Sequence, residues 1–332
     1  MNKVRAKRNR TISINETERY CYGADLMQIS EHAEIDTIEN RIVNQDIYQV
    51  LDSLPNSFVD LLILDPPYNL TKTFNSTIFR KRSITKYAEW FENLLVKLLP
   101  TLRNNSSVYV CSEWYSSTAV HLVLEKHLKV RNRITWEREK GRGSKTNWKN
   151  ASEDIWFATV SNDYTFNVSD VKLKRRVLAP YTDTNGEPKD WQNSSGGQFR
   201  LTHPSNLWND ITVPFWSMPE NTDHPAQKPE KLLAKLILAS TNENDLVFDP
   251  FMGVGSSIVT ARKLNRRFLG IEIEKEYCLL AAKRLYLAEL DKTIQGYHGG
   301  VFWERNTLSI QQQNRSKKNV DAPTVCSRFG RT

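Results

Sequence analysis

The residues best suited to chemistry begin at Asp65-Pro66-Pro67-Tyr68, followed by Asn69. Two successive prolines remove two backbone donors and hold the loop stiff, leaving carbonyl oxygens free to accept hydrogen bonds. A carboxylate, a free carbonyl and an aromatic ring on one short loop suit an amino group carried by a planar base. The lone pair of such an exocyclic amine is delocalised into the ring, so the nitrogen attacks poorly until its geometry is drawn toward tetrahedral. The Asp65 carboxylate and the Pro66 carbonyl can accept the two amine hydrogens and favour the positive charge that develops during attack. Tyr68 can stack on the base face, a contact worth roughly 1 to 3 kcal/mol in single-strand binders. The plainer reading is a proline-stiffened turn with a tyrosine that only packs. The four residue types together, at the end of a buried strand, favour chemistry.

A second stretch, Asp249-Pro250-Phe251-Met252-Gly253-Val254-Gly255-Ser256, lies between a predicted strand and a predicted helix. Gly253 and Gly255 let the backbone turn tightly and approach a ligand, and the helix start adds donors. Glu272 ends the next predicted strand, where an acidic side chain can bind ribose hydroxyls. A lone G-x-G is an ordinary strand-to-helix loop more often than a site, and Glu272 is what points to a nucleoside-bearing cofactor. The third glycine of a dinucleotide fingerprint is missing, since Ser257, Ile258 and Val259 stand there. A cofactor with adenosine and no phosphate therefore fits better than NAD, and S-adenosylmethionine is the common one.

With both stretches in place the chain resembles the β class of DNA amino-methyltransferases. That class carries the Asp-Pro-Pro-Tyr motif first, a recognition region second and a Phe-x-Gly-x-Gly motif last, as here at Asp65 to Tyr68 and Phe251 to Gly255. The resemblance extends over roughly 41 to 290, with the recognition region matching in position only. It implies that Asp46, in Asn44-Gln45-Asp46, holds the adenine of the cofactor, although Gln45 stands where the family often has glycine. It also implies that His224-Pro225-Ala226-Gln227-Lys228-Pro229 lines the methionine end. The resemblance thus completes a catalytic set of Asp65, Pro66, Pro67 and Tyr68. Its cofactor set is Asp46, Lys228, Asp249, Pro250, Phe251, Gly253, Gly255, Ser256 and Glu272, with no metal. The expected activity is methylation of adenine N6 in double-stranded DNA, as in type II restriction-modification systems with a cognate restriction endonuclease. Members acting on cytosine N4 usually have Ser in place of Asp65, which makes that the alternative, followed by a catalytically silent DNA-binding subunit. Dimerisation is common in the family.

The elements that must position these residues alternate as strands and helices from Ile42 onward, the mark of an α/β fold with a mostly parallel, Rossmann-like methyltransferase sheet. Val59–Leu64 reads as a buried strand ending at Asp65. The spacing of Trp90, Phe91, Leu94, Leu95, Leu98 and Leu99 predicts a helix over 87–102 with one apolar stripe. Further strands are expected at 108–111 and 130–136, around a helix at 117–128, and a hairpin at 154–159 and 164–168. Between Val168 and Thr222 the alternation stops, and lysines and arginines interleave with Tyr181, Trp191, Phe199, Trp208 and Trp216. A helix after Pro229, strands at 246–248 and 268–273, and helices at 256–264 and 276–290 restore it. The division that follows is a basic N-terminal arm (1–35), expected to be mobile, a catalytic half (36–160), an inserted DNA-recognition segment (161–222), a cofactor half (223–290) and a basic C-terminal tail (291–332), expected to be poorly ordered.

With 332 residues the chain is long enough for one large α/β domain and a smaller recognition element, and its net charge of +8 suits a polyanionic partner. Lys172, Lys174, Arg175 and Arg176, with Arg142, Lys145 and Lys149, are candidates for phosphate contacts, and side chains between Tyr181 and Trp216 for reading base edges. Any one of these cations is more often a solvated surface charge. The segment 70–86 after the catalytic motif is expected to be a flap over a flipped base, at even odds with a plain surface loop. Cys21, Cys111, Cys278 and Cys326 match neither a zinc-ligand spacing nor a disulfide framework, and the six histidines show no metal pairing. No apolar run is long enough for a membrane span, and the polar, basic start is unlike a signal peptide. A cytoplasmic, nucleoid-accessible location is the expectation.

Overall fold

The computed structural model describes residues 8–74, 77–138, 143, 145–177, 181–194 and 197–307. The chain opens with α1 (Glu16–Ala24), α2 (Ile35–Ile38), β1 (Arg41–Val43), α3 (Ile47–Val50) and β2 (Val59–Leu64), then a hairpin of β3 (Lys72–Phe74) and β4 (Thr77–Phe79). Next come α4 (Ile84–Leu98), β5 (Leu102–Ser112), α5 (Ser117–His127), β6 (Lys129–Glu137) and β7 (Ser152–Thr159). Four short strands follow, β8 (Leu173–Arg176), β9 (Gln192–Ser194), β10 (Gly197–Thr202) and β11 (Leu207–Trp208). The remainder is α6 (Glu230–Ser240), β12 (Leu246–Asp249), α7 (Ser256–Lys263), β13 (Arg267–Ile271), α8 (Lys275–Leu290), β14 (Tyr297–His298) and β15 (Val301–Trp303).

Eight strands form the central sheet in the order β1-β13-β12-β2-β5-β7-β6-β11, parallel except for β7, which runs against both of its neighbours. Both faces of β2 are covered, which is why it is apolar except at Asp60. Leu62 and Leu64 face Leu94, Leu95 and Leu98 of α4 and Val120 and Leu124 of α5, while Leu61 and Ile63 face Leu232 and Leu236 of α6 and Ile258 of α7. Helix α4 starts where the Ser83 hydroxyl accepts from Lys86 N–H at 3.3 Å, and it ends at Leu98 before a 3-10 turn containing Pro100. Its Phe91 is fully buried, a contribution of about 1.5 to 3 kcal/mol from the side chain. From β2 the chain steps one way to β5, and from β12 it steps the other way to β13. The carboxyl ends of β2 and β12 therefore border the crevice where ligands of open α/β sheets bind.

Three stretches differ from the expectations above. Ser152–Thr159 is a strand, but its partners are β5 and β6, and 164–168 forms no strand. The reason lies in α6, whose Ala239 carbonyl accepts from Asn167 N–H at 2.7 Å, while the Asn167 amide donates to the Leu238 and Thr241 carbonyls. Residues 8–35 are not a loose arm. Asn15 and Glu18 form a capping box that starts α1, Lys283 of α8 donates to Glu18, and Ile12 bridges Thr222. The C-terminal stretch is likewise ordered as far as it is described. Val301–Trp303 lies parallel to β8, completing a second sheet in the order β14-β15-β8-β10-β9. The rest of the expected arm and tail, 1–7 and 308–332, lies outside the described residues.

Candidate active site

Strand β2 ends at Leu64, so Asp65 stands at the carboxyl edge, and the loop behind it is fixed from two sides. Tyr87 of α4 donates through its hydroxyl to the Pro67 carbonyl at 3.3 Å. The fully buried Asn69 amide donates to the Arg82 carbonyl at 3.0 Å and accepts from Arg82 N–H at 2.7 Å, closing the base of the β3–β4 hairpin. The expected flap at 70–86 is therefore a short hairpin tied to the Asp-Pro-Pro-Tyr loop, with Asn75 and Ser76 outside the described residues. Pro66 is buried, whereas Asp65 and Tyr68 are half-buried and reach the crevice.

What touches Asp65 is Lys228. Its Nζ donates to Asp65 Oδ2 at 2.6 Å and to the Tyr68 hydroxyl at 3.1 Å, so this residue, expected with the cofactor group, sits beside the Asp-Pro-Pro-Tyr loop. A further carboxylate completes the cluster. Glu153, at the start of β7, accepts from the Tyr68 hydroxyl at 3.1 Å, lies 3.4 Å from Lys228 Nζ, and is paired on its other oxygen with Arg138. Burial, reinforced by Asp65 and Glu153, pushes the Tyr68 phenol far above its ordinary range, so it remains a donor. Burial works against the charge of Lys228, but the two carboxylates outweigh it and hold the ammonium above the usual lysine range. Glu153 and Arg138 escaped the reading of the sequence. The available signal was an acidic pair, Glu153-Asp154, opening an otherwise apolar strand.

On the adjacent strand, Asp249 ends β12 beside this cluster, since Val247 and Phe248 pair with Leu61 and Leu62. Its carboxylate accepts from Phe251 N–H at 3.0 Å and from the Ser257 hydroxyl. Pro250 is buried and Phe251 half-buried, packed on the α4 side of the sheet. Gly253 has φ +53°, and a Cβ there would stand 3.3 Å from His224 Nε2. Gly255 has φ +74° and caps α7, but the crowding a Cβ would cause is with Ala281 Cβ of α8, at 2.7 Å. Gly255 thus answers to helix packing, while Gly253 faces the segment at His224. The turn is braced from α8 by Arg284, which donates to the Val254 carbonyl at 2.7 Å, the Ser256 hydroxyl at 3.0 Å and the Glu230 carboxylate at 3.0 Å.

Glu272 follows β13 and accepts from Gly253 N–H at 3.0 Å and Glu274 N–H at 2.8 Å, and burial raises its carboxyl above the ordinary range. Asp46 is half-buried and caps α3 by accepting from Tyr48 N–H at 3.1 Å. Gln45, at the position where glycine was expected, exchanges two hydrogen bonds with the Ile29 backbone, so the longer side chain ties down the N-terminal stretch. Gln227 likewise has a local task, its amide closing the loop between Glu220 and Thr222. Asp65, Asp249, Glu272 and Lys228 therefore converge on one edge of the sheet, while Asp46 lies one strand beyond, after β1.

The expected DNA contacts divide. Phe199 is buried and Lys174 lies 4.5 Å from the Trp303 ring centroid, so both belong to the second sheet, while Trp208 is buried on β11 at the edge of the central sheet. Arg175 pairs with Glu304 at 3.2 Å. Arg176, Lys145, Lys149, Tyr181 and Trp216 are exposed, and Arg142 lies outside the described residues.

Comparison with known proteins agrees with this geometry. A model of the DNA methylase family, which spans N6 and N4 types, matches residues 59–283, from β2 into α8. Type II methyltransferase M.HpaI of Haemophilus parainfluenzae is 29% identical over 75% of this chain and 74% of its own. M.BglII of Bacillus subtilis is 28% identical, covering 85% and 81%, and the DNA adenine methyltransferase YhdJ of Escherichia coli K12 is 29% identical, covering 74% and 83%. The solved structure of the cytosine-N4-specific PvuII DNA methyltransferase shares the fold at a TM-score of 0.54 and 18% identity, over 74% of this chain and 85% of that one. Asp-Pro-Pro-Tyr and the glycine turn thus stand side by side at the switch point of a methyltransferase sheet, and the chain belongs to the DNA methylase family.

Proposed function

We propose that the protein transfers the methyl group of S-adenosylmethionine to N6 of an adenine flipped out of duplex DNA. The observation that carries this reading is the adjacency of β2 and β12, which sets the Asp65 loop next to the Asp249–Ser256 turn at one sheet edge. The residues present fit the cofactor. Gly253, at φ +53°, carries no side chain where its backbone turns against His224, and Glu272 and Asp46 offer acceptors for hydroxyl and amino groups along the same edge. Bound there, the cofactor supplies an electrophilic methyl group on a sulfonium.

The protein's own groups then do the rest. Asp65 and the Pro66 carbonyl accept the amine hydrogens and draw the nitrogen toward tetrahedral geometry, Tyr68 stacks on the base, and the surplus proton leaves through Asp65 to solvent. Flipping the base costs a few kcal/mol, which contacts from the 161–222 segment and the basic surface offset. Asp65, rather than Ser, supports adenine over cytosine, and YhdJ is named an adenine methyltransferase. The relatives named as type II methyltransferases support a place in a restriction-modification pair with a cognate endonuclease. The test is to methylate duplex DNA, digest it to nucleosides and identify the modified one. N6-methyladenine is expected, and N4-methylcytosine alone would replace the adenine reading with the cytosine one.

A further inference from the structure

The cluster around Lys228 contains more charge than the reaction as stated uses. Asp65 and Tyr68 approach from the loop after β2, Cys111 from β5, Arg138 and Glu153 from the ends of β6 and β7, and Asp249 from the end of β12. The Lys228 side chain is 8% exposed and that of Glu153 4%, against 21% for Asp65. Buried charges persist only when paired, so one ammonium serving two carboxylates is a strong constraint on where it can go. Lys228 Nζ is a tetrahedral, cationic nitrogen donating to Asp65, which is also what the target amine becomes during methyl transfer.

We infer that Lys228 occupies the Asp65 acceptor site until the target amine arrives, and that Glu153 is the carboxylate onto which its ammonium is then withdrawn. This rests on the proposed role of Asp65. The displacement is short, because Nζ is 2.6 Å from Asp65 Oδ2 and 3.4 Å from Glu153 Oε2, with the Tyr68 hydroxyl contacting both Nζ and Glu153. It has an electrostatic purpose. An ammonium left on Asp65 would oppose the positive charge that grows on the reacting nitrogen, and one neutralised by Glu153 leaves Asp65 free to stabilise it. Arg138 holds Glu153 by its other oxygen and keeps this second carboxylate in position. Lys228 stays protonated throughout and is a positioning residue, as is Glu153.

Single-turnover methyl transfer across pH, in the wild type, Lys228→Met, Glu153→Gln and the double variant, tests this. In Lys228→Met the two carboxylates lose the cation between them and keep only Arg138 on Glu153, so protonating one of them becomes easier and the acid limb of the rate profile moves to higher pH. Glu153→Gln leaves the ammonium on Asp65 and slows transfer without that move, while cofactor affinity is kept. The double variant returns the acid limb toward the wild-type position and recovers at least about tenfold over Lys228→Met at low pH, a coupling that two independent structural losses would not show. An unmoved acid limb in Lys228→Met, or a double variant slower than either single one, overturns the inference. Carboxyl carbon-13 NMR of the proteins without DNA gives the same answer independently of activity. A carboxyl of the pair must titrate at higher pH in Lys228→Met than in the wild type, and no such change also overturns it. If the wild type methylates no DNA, the proposed function fails instead, whatever the carboxyl titration shows.

Discussion

Gly253 N–H donates to Glu272 Oε2 at 3.0 Å, so the acid proposed to hold the cofactor ribose also holds the turn proposed to lie against the cofactor. Glu272→Gln keeps an acceptor for the turn but removes the charge, whereas Glu272→Ala removes both. Calorimetric titration with S-adenosylmethionine should show the alanine variant losing more than about tenfold in affinity, in line with a charged hydrogen bond worth roughly 1.5 to 3 kcal/mol. The glutamine variant should fall between it and the wild type. Equal affinity in all three proteins would detach Glu272 from the cofactor.

The two glycines of the turn should fail differently. Gly255→Ala sets a Cβ against Ala281 at positive φ, so it should lower the melting temperature, with a cost of about 1 to 3 kcal/mol. Gly253→Ala, whose Cβ meets the His224 ring at 3.3 Å, should chiefly weaken cofactor binding. Thermal melts with and without cofactor distinguish them. A Gly253→Ala protein with wild-type cofactor stabilisation would remove that glycine from the binding edge.

Asp65→Ala should retain cofactor and DNA binding and lose about a hundredfold to a thousandfold in single-turnover transfer, roughly 2.7 to 4 kcal/mol of transition-state stabilisation. Near-normal transfer would discard the amine-acceptor mechanism.

Burial pushes the Asp249 carboxyl up to about 7, although the Ser257 hydroxyl and Phe251 N–H both donate to it. Its folded value is raised above the ordinary aspartate value of about 3.9, so between that value and about 7 the folded state binds more protons than the unfolded one. The associated stability is complete below the unfolded value and is lost as pH rises through the folded one. Urea unfolding at several pH values across this window should show the wild type losing stability on the way up relative to Asp249→Asn. Parallel pH dependences for the two proteins would contradict the assignment.

Much of this was open to inspection in the sequence because the signals are local. Val59–Leu64 has the bounds expected from its apolar run, and the strand-to-helix turn at Asp249 lies where its glycines indicate. The capping box at Asn15 and Glu18 was equally local and went unread beneath the basic composition of the terminus. Other features depend on residues remote in the chain. Nothing near Glu153 shows that β7 runs beside β5 and so brings this carboxylate to Tyr68, and nothing near Phe302 shows that its partner is Leu173. The hairpin expected at 154–168 failed for the same reason, since Asn167 is tied to the end of α6, some seventy residues on, while β7 takes β5 and β6 as its partners.

The pairing of Val301–Trp303 with β8 has a consequence for biogenesis. Every strand of the eight-stranded sheet is synthesised before β15, so the second sheet gains this inner strand, and α6 its buried Phe302 neighbour, only after the central sheet's chain is complete.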